Sequence, residues 1–589
     1  MTSCRTRIAF AVLLGLTAAA SAQDQPAATG APTPLGGPSA TAPDAAPADQ
    51  PPAADSNPVE FKPGMVEAQP AVTTGDLSGL VDGPPVGTLD DAHGGLGQSM
   101  WVNSPREPVE TLLGRIPLVS ADPFVRGLAR RVLLTPSDAP AGAAKRALVT
   151  IRIEKLLQGG LIDDAGSLAA ALHLDNDPDF TRVQAEALLY AGRDKDICGD
   201  LTATRLTSPD PFWLELRDYC FVASGDSASA ELAHAALEGL GVKDPAFDVL
   251  VADALTGAKK PVPAIDHPTA LHIFLMRKAG LVVTNAMAAK LGTVANMFAA
   301  RDPRNPPADR LAAASRIAAT GALGNAELLS ILNTQVIPAK DLAQAQAVSA
   351  KLLFLPAQGL LRRAALLETR PPAKTDLVLA ALSAGGHPGR LPQTAALQGV
   401  VALAIKPAPT IAAGRPLIQR ALVLIGKVDA ASAWYAGAAE GEDLEAFRVL
   451  ADIAAPSAPR DAAAQAAYGW FAVNAAPQKN PDAQAALALG LADVLGGPMP
   501  TAARSLAANL EGMRWPGPRP NSADIRSLEE AASQPGRKGE VVLRVLDIVG
   551  ANGPHDLPAD VTIECVRVLV QAGLPNEARA LAVEALAMP

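Results

Sequence analysis

From residue 177 the chain reads Asp-Pro-Asp-Phe-Thr-Arg-Val-Gln-Ala-Glu-Ala-Leu-Leu-Tyr-Ala-Gly, ending at Gly192. From residue 210 it reads Asp-Pro-Phe-Trp-Leu-Glu-Leu-Arg-Asp-Tyr-Cys-Phe-Val-Ala-Ser-Gly, ending at Gly225. The two stretches start alike, end alike and lie 33 residues apart. A third start, Asp244-Pro245-Ala246-Phe247, follows 34 residues later, and Asp122-Pro123-Phe124 is an earlier outlier. An aspartate before a helix accepts hydrogen bonds from its free N–H groups, and proline suits the first helical position. A glycine fits the left-handed turn that closes the helix. Asp177, Asp210 and Asp244 are therefore expected to begin helices of about three turns.

A second marker runs in a different register. Gly160, Gly225, Gly321, Gly426 and Gly573 are each followed five residues later by Ala165, Ala230, Ala326, Ala431 and Ala578, while Gly192 has Ile197 in that place. The steps from Gly160 to Gly192 to Gly225 repeat the same period. The spacing, the turn glycine, the small residue after it and the closing run Glu577-Ala578-x6-Ala585-Leu586 resemble tetratricopeptide repeats, most clearly over residues 160–260 and 560–587. The resemblance implies antiparallel helix hairpins stacked into a solenoid. From about residue 105 there is room for roughly fourteen units. The expected fold is all-α, irregular in the middle.

Composition agrees. Only 4% of the 589 residues are aromatic, and the apolar content rests on Ala and Leu, which favour helix over strand. A net charge of -10 argues against a nucleic-acid partner. At this length one core is not expected, because larger chains split or repeat.

The first residues read as a processing signal. Arg5 and Arg7 precede an apolar run from Ile8 to Leu16, and Ala18–Ala22 has the small-residue form of a cleavage site, so residues 1–22 are expected to be a signal peptide. Cys4 precedes the apolar run and is not placed as a lipidated cysteine. No later apolar stretch is both charge-free and about 20 residues long, so no integral membrane segment is expected after cleavage. Residues 23–99, rich in Ala and Pro, hold ten acidic residues against Lys62 alone, and too little apolar surface to offset ordering. That segment is expected to be a disordered acidic linker with a reach on the order of 50 Å, and residues 100–589 the solenoid.

Export leaves Cys198, Cys220 and Cys565 in an oxidising compartment. Cys198 falls early in the second helix of one unit and Cys220 late in the first helix of the next. Helices running antiparallel there would bring the two together, and a Cys198–Cys220 disulfide worth about 3 kcal/mol by loop entropy is expected.

Chemical motifs are few. Asp175, Asp177, Asp179 and Glu186 have the spacing of a calcium loop, but Phe180 stands where that loop needs glycine, and Asp177-Pro178 already serves as a helix start. The seven histidines include no zinc-protease pair. Neither a phosphate-cradling Gly-x4-Gly-Lys-Ser/Thr nor a Gly-x-Ser-x-Gly elbow is present. Glu440, Glu442, Asp443 and Glu445 read as the acidic start of a helix. Arg126, Arg130 and Arg131 make a small basic face, and Trp101 stands where linker gives way to fold.

No catalytic, cofactor or metal residue is assigned, and no cofactor is expected. The expectation is an exported, periplasmic or extracellular, non-enzymatic scaffold of the bacterial cell envelope that binds an envelope protein or a cell-wall polymer. A cell-wall glycan-processing enzyme or its accessory subunit, and a structural surface protein, are the alternatives. The sequence leaves the oligomeric state open.

Overall fold

The computed structural model describes residues 82–172, 177–199, 210–265, 268–384, 390–435, 442–456, 462–475, 483–510, 513–515 and 517–588. The signal-peptide reading of residues 1–22, and the linker reading as far as residue 81, lie outside them. Among the described residues the regular structure is helical, and the one strand-like contact is an isolated bridge between Pro105 and Ala141.

The Asp-Pro starts cap helices. Asp122 accepts from Val125 N–H at 3.0 Å, Asp177 from Phe180 at 3.0 Å, Asp210 from Phe212 at 3.0 Å, and Asp244 from Ala246 at 3.1 Å and Phe247 at 3.0 Å. Each cap contributes about 1 kcal/mol. The helices they open are Pro123–Leu134, Pro178–Tyr190, Pro211–Ser224 and Pro245–Thr256.

The turn glycines close helices by one device. At Gly160 the glycine N–H donates to Leu157 O at 3.0 Å and the next N–H, of Leu161, reaches back to Leu156 O at 2.8 Å. Gly192, Gly225, Gly426 and Gly573 repeat this pair of bonds with φ between +71° and +80°, a backbone that L side chains adopt at a cost. Gly241 and Gly280, unmarked in the sequence reading, do the same. The residue five places on is buried at Ala165, Ile197, Ala230, Ala431 and Ala578. Gly321 departs. Its φ is +74°, but Thr320–Gly324 form a loop, the next helix starts at Asn325, Ala326 is exposed and Leu328 fills the buried position. A Cβ at Gly321 would lie 2.2 Å from Arg126 Cδ, so close approach as well as φ selects glycine there.

Adjacent helices form the layers, as in Ile162–Ala170 on Pro178–Tyr190 and Pro211–Ser224 on Ser227–Gly239. Small residues set the spacing: a Cβ on Gly166 would lie 2.3 Å from Ala191 Cβ. In the middle, regularity fails. Ala339–Ala343 and Ala345–Ser349 are short helices broken at Gln344, and 3-10 turns occupy Pro409–Gly414 and Ala433–Tyr435.

The array's two ends meet. The last helix, Pro575–Ala587, packs on Ala559–Gln571 and also on Pro123–Leu134, Arg415–Leu424 and Glu442–Ala454. Helix Lys538–Val549 packs on Arg106–Arg115 and on Pro123–Leu134. Trp101, 1% exposed, lies against Gly539, where a Cβ would come within 2.5 Å of the indole ring. Its Nε1–H donates to Ser137 Oγ at 3.0 Å, and Gly539 N–H donates to Met100 O at 3.0 Å. An open solenoid with free caps would not make these contacts.

The packed part begins earlier than residue 100, which corrects the linker boundary. Asp82 accepts both Nη groups of Arg106 and the N–H of Leu148, and Leu96 is buried in the core. Read in sequence, Asp82 is one more linker acid; in the fold it neutralises a guanidinium that is itself buried.

Candidate functional site

Helix Ala559–Gln571 packs against Ala483–Val494 because Gly490 leaves room for Ile563, whose Cδ1 lies 2.3 Å from where a glycine Cβ would stand. Past the next helix, Thr501–Leu510, the chain runs through Met513-Arg514-Trp515 and Gly517-Pro518-Arg519-Pro520 before re-entering helix at Ser522–Ser533. The proline-rich composition keeps this connection out of helix.

Arg519 pins the connection down. Its guanidinium donates to both carboxylate oxygens of Asp560, at 2.7 and 3.0 Å, and to Trp515 O at 3.0 Å. Two parallel bonds to one carboxylate fix orientation as well as charge. Trp515, 8% exposed, then packs with Ala486 and Ala559. Between these elements lies a cleft of about 640 Å³, within the range of ligand sites. Trp515, Val494, Ile525, Ile563 and Met513 supply its apolar lining.

The cleft's charges divide into two sets. Arg519 is committed to Asp560, and Arg567 donates to Glu564 at 2.6 Å. Arg514 and Arg526, and Asp493 and Glu529, also line the cleft, stand exposed and make no ion pair with one another within 4 Å. The site thus offers two cations and two anions around an apolar floor. Sequence reasoning missed it. Its one local signal is the run Arg514-Trp515-Pro516-Gly517-Pro518-Arg519-Pro520, an aromatic set between arginines and prolines.

The residues singled out from sequence serve elsewhere. Cys198 and Cys220 are joined, with Cα atoms 5.4 Å apart, tying helix Asp194–Gly199 to Pro211–Ser224. Cys565 is a buried free thiol whose pKa burial pushes up to about 12, which suppresses the nucleophilic thiolate. Of the calcium-loop spacing, Asp175 lies outside the described residues, Asp177 caps its helix, Asp179 sits 3.3 Å from Arg146, and Glu186 3.6 Å from Arg182. Glu440 also lies outside the described residues, while Glu445 is buried and accepts from Arg448 at 2.7 Å.

The basic face is consumed inside the fold. Arg130 binds Asp164 through two bonds of 2.5 and 2.6 Å, Arg131 pairs with Glu577, and Arg126 donates to Ser120 O at 2.6 Å.

Further titratable groups stand out in two places. His234 Nδ1 lies 3.2 Å from buried Asp218 and its Nε2 3.6 Å from Asp248, so one imidazole joins three consecutive helices. Burial raises Asp218 to about 6, against the lowering effect of His234, and burial with the nearby acids Asp244 and Asp210 raises Glu215 to about 7. At the seam between Pro123–Leu134 and Pro575–Ala587, burial lifts the Glu584 carboxyl well above its ordinary range, and the negative charge of the adjacent Asp122 lifts it further. Among the described residues no group of three His, Cys, Asp or Glu is placed to hold a metal ion, and no helix is long and apolar enough to cross a membrane. Set against models of known families, curated proteins and solved structures, the chain finds no match in any of the three, and the cleft is read from its own geometry alone.

Proposed function

We propose that this is an exported, non-enzymatic scaffold of the bacterial cell envelope, built from tetratricopeptide-like hairpins, that captures a segment of a protein partner in the Trp515 cleft. The observation that carries this is the set of charges around the apolar floor. Arg514 and Arg526 stand beside Asp493 and Glu529, and this balance suits a peptide that brings an apolar anchor flanked by both signs of charge. Anchors of this kind in desolvated pockets dominate binding, while rim charges set rate and specificity. Export is supported by the leader-like residues 1–22 and by the Cys198–Cys220 bridge, since such bridges persist in oxidising compartments.

The test is selection of binders from a random peptide library on the mature chain, in parallel with Ile563→Asp and with the double variant Arg514→Glu/Arg526→Glu. Recovered peptides should share a large apolar residue with charged neighbours. Ile563→Asp should weaken them at least tenfold, and the arginine reversal should select against acidic neighbours. Peptides bound equally by all three proteins would place recognition elsewhere, and release of glycan fragments from purified cell wall would replace the scaffold reading with the enzyme one.

A further inference from the structure

A second concavity, built by other helices, carries charge of one sign only in its lining. At the end of helix Pro245–Thr256 the buried carboxylate of Asp253 accepts the N–H of Lys260 at 3.0 Å, and the N–H of Gly257 donates to Asp253 O at 2.8 Å. Lys259 is held at φ +55°, the one non-glycine residue in the left-handed region among those described. A bulky side chain there costs roughly 1–2 kcal/mol, so the Asp253 bond fixes a turn the chain would not otherwise keep.

The turn launches Lys260-Pro261-Val262-Pro263-Ala264-Ile265 as a wall without helix. Across from it stand Met276, Leu281, Val282, Met287 and Leu291, enclosing about 510 Å³. The polar side chains in the lining are Lys260, Thr284 and Lys290. Both lysines are exposed, and neither is ion-paired with a carboxylate among the described residues.

These facts narrow the occupant. Pro261 and Pro263 have no N–H to offer, so one edge of the wall lacks the alternating donors that strand addition by a peptide uses. What remains is apolar contact along the walls, including two flexible methionines that adapt to an irregular chain, and two ammonium groups with no ion-paired carboxylate among the described residues. We propose that this groove binds a free single-chain fatty carboxylate, its alkyl chain against the Pro-Val-Pro wall and the two methionines and its carboxylate against Lys260 and Lys290. The proposal does not depend on the reading of the Trp515 cleft.

The experiment is calorimetric titration of the full mature chain with decanoate, laurate and myristate below their micelle concentrations, alongside dodecanol, dodecyl phosphate and dodecyltrimethylammonium. Affinity should rise by up to about fourfold per added methylene, since each buried CH₂ is worth about 0.8 kcal/mol. The double variant Lys260→Glu/Lys290→Glu, checked for unchanged helicity, should weaken laurate at least tenfold and leave dodecanol within twofold. Met287→Asp should weaken both. Equal affinity of the charge-reversed variant and the natural chain for laurate would overturn the proposal, as would no dependence on chain length. Binding of dodecyl phosphate with laurate silent would overturn the carboxylate assignment, and tighter binding of dodecyltrimethylammonium would overturn the charge argument.

Discussion

The hairpins of residues 178–256 and the seam where residues 100–134 meet 535–587 are both helix on helix, yet they are held by different kinds of contact. In the hairpins, the repeated devices act within a few residues: an aspartate two or three positions before the N–H it accepts, a glycine turn whose bonds reach back three and five residues; the Cys198–Cys220 bridge, the longer tie there, spans 22. At the seam, each fixing contact joins residues more than 400 positions apart and occurs once: Trp101 on Gly539, Asn103 Nδ2–H on Pro535 O at 2.7 Å, Ser120 Oγ–H on Ala551 O at 2.5 Å, Arg131 with Glu577, Glu584 with Asp122. Local repeated devices tolerate the loss of one copy; single long-range contacts do not.

The sharpest test of that difference is Trp101→Ala. Removing a fully buried indole should cost about 3–5 kcal/mol, and hydrogen exchange should show the loss in helices 106–115 and 538–549 while 178–256 keeps its protection. Uniform loss across both regions would erase the distinction. Next in size is the bridge: Cys198→Ser/Cys220→Ser should cost about 3 kcal/mol, with faster exchange confined to residues 194–224.

Two glycine substitutions separate the regions by mechanism. In Gly539→Ala the new methyl meets the Trp101 ring, and overpacking should cost about 1–3 kcal/mol despite alanine's better helix propensity. In Gly225→Ala it meets nothing within 4 Å, and the cost, about 1–2 kcal/mol, comes from φ +80° alone. Repacking the ring by Trp101→Leu should relieve the first and leave the second unchanged; relief of neither would show that Gly539 is chosen for another reason. Denaturant midpoints read both.

The smallest expected effect is a pH dependence. Because Glu584 has a raised folded pKa, its contribution is complete below the ordinary glutamate value near 4.5 and is lost as pH rises through the raised value. The seam should therefore tighten on acidification and loosen toward alkaline pH, and Glu584→Gln should flatten that slope. An unchanged slope in the variant would assign the dependence to other carboxyls.

The same contrast explains what could be read in advance. Caps and glycine turns are legible because their cause lies within one helical turn of the residue that shows it, and the Cys198–Cys220 pairing because it follows from the topology of adjacent helices. Gly321 carries the same mark but serves a loop, since its partner Arg126 is 195 positions away. Asp82 was indistinguishable from the linker's other acids until Arg106 stood beside it. The Trp515 cleft was hidden for a related reason: Arg519 and Asp560 mean little apart, and their separation of 41 positions matches no repeat. Arg130 and Arg131 read as a surface because their carboxylate partners, Asp164 and Glu577, come from other helices.

The Trp101 seam also sets an order of events for a chain synthesised from its N-terminus. The hairpins of residues 148–256 can form as they emerge, because their contacts are short in sequence. Helices 106–115 and 123–134 cannot finish, since the surfaces that cover them arrive with the last 50 or so residues. Until then Trp101, buried in the finished fold, lacks its contact with Gly539, and a chain cut short before residue 538 leaves it so. Residues 538–587 thus complete the cover of the N-terminal helices, and a chain lacking them would expose apolar surface of the kind that a holding chaperone or a protease recognises.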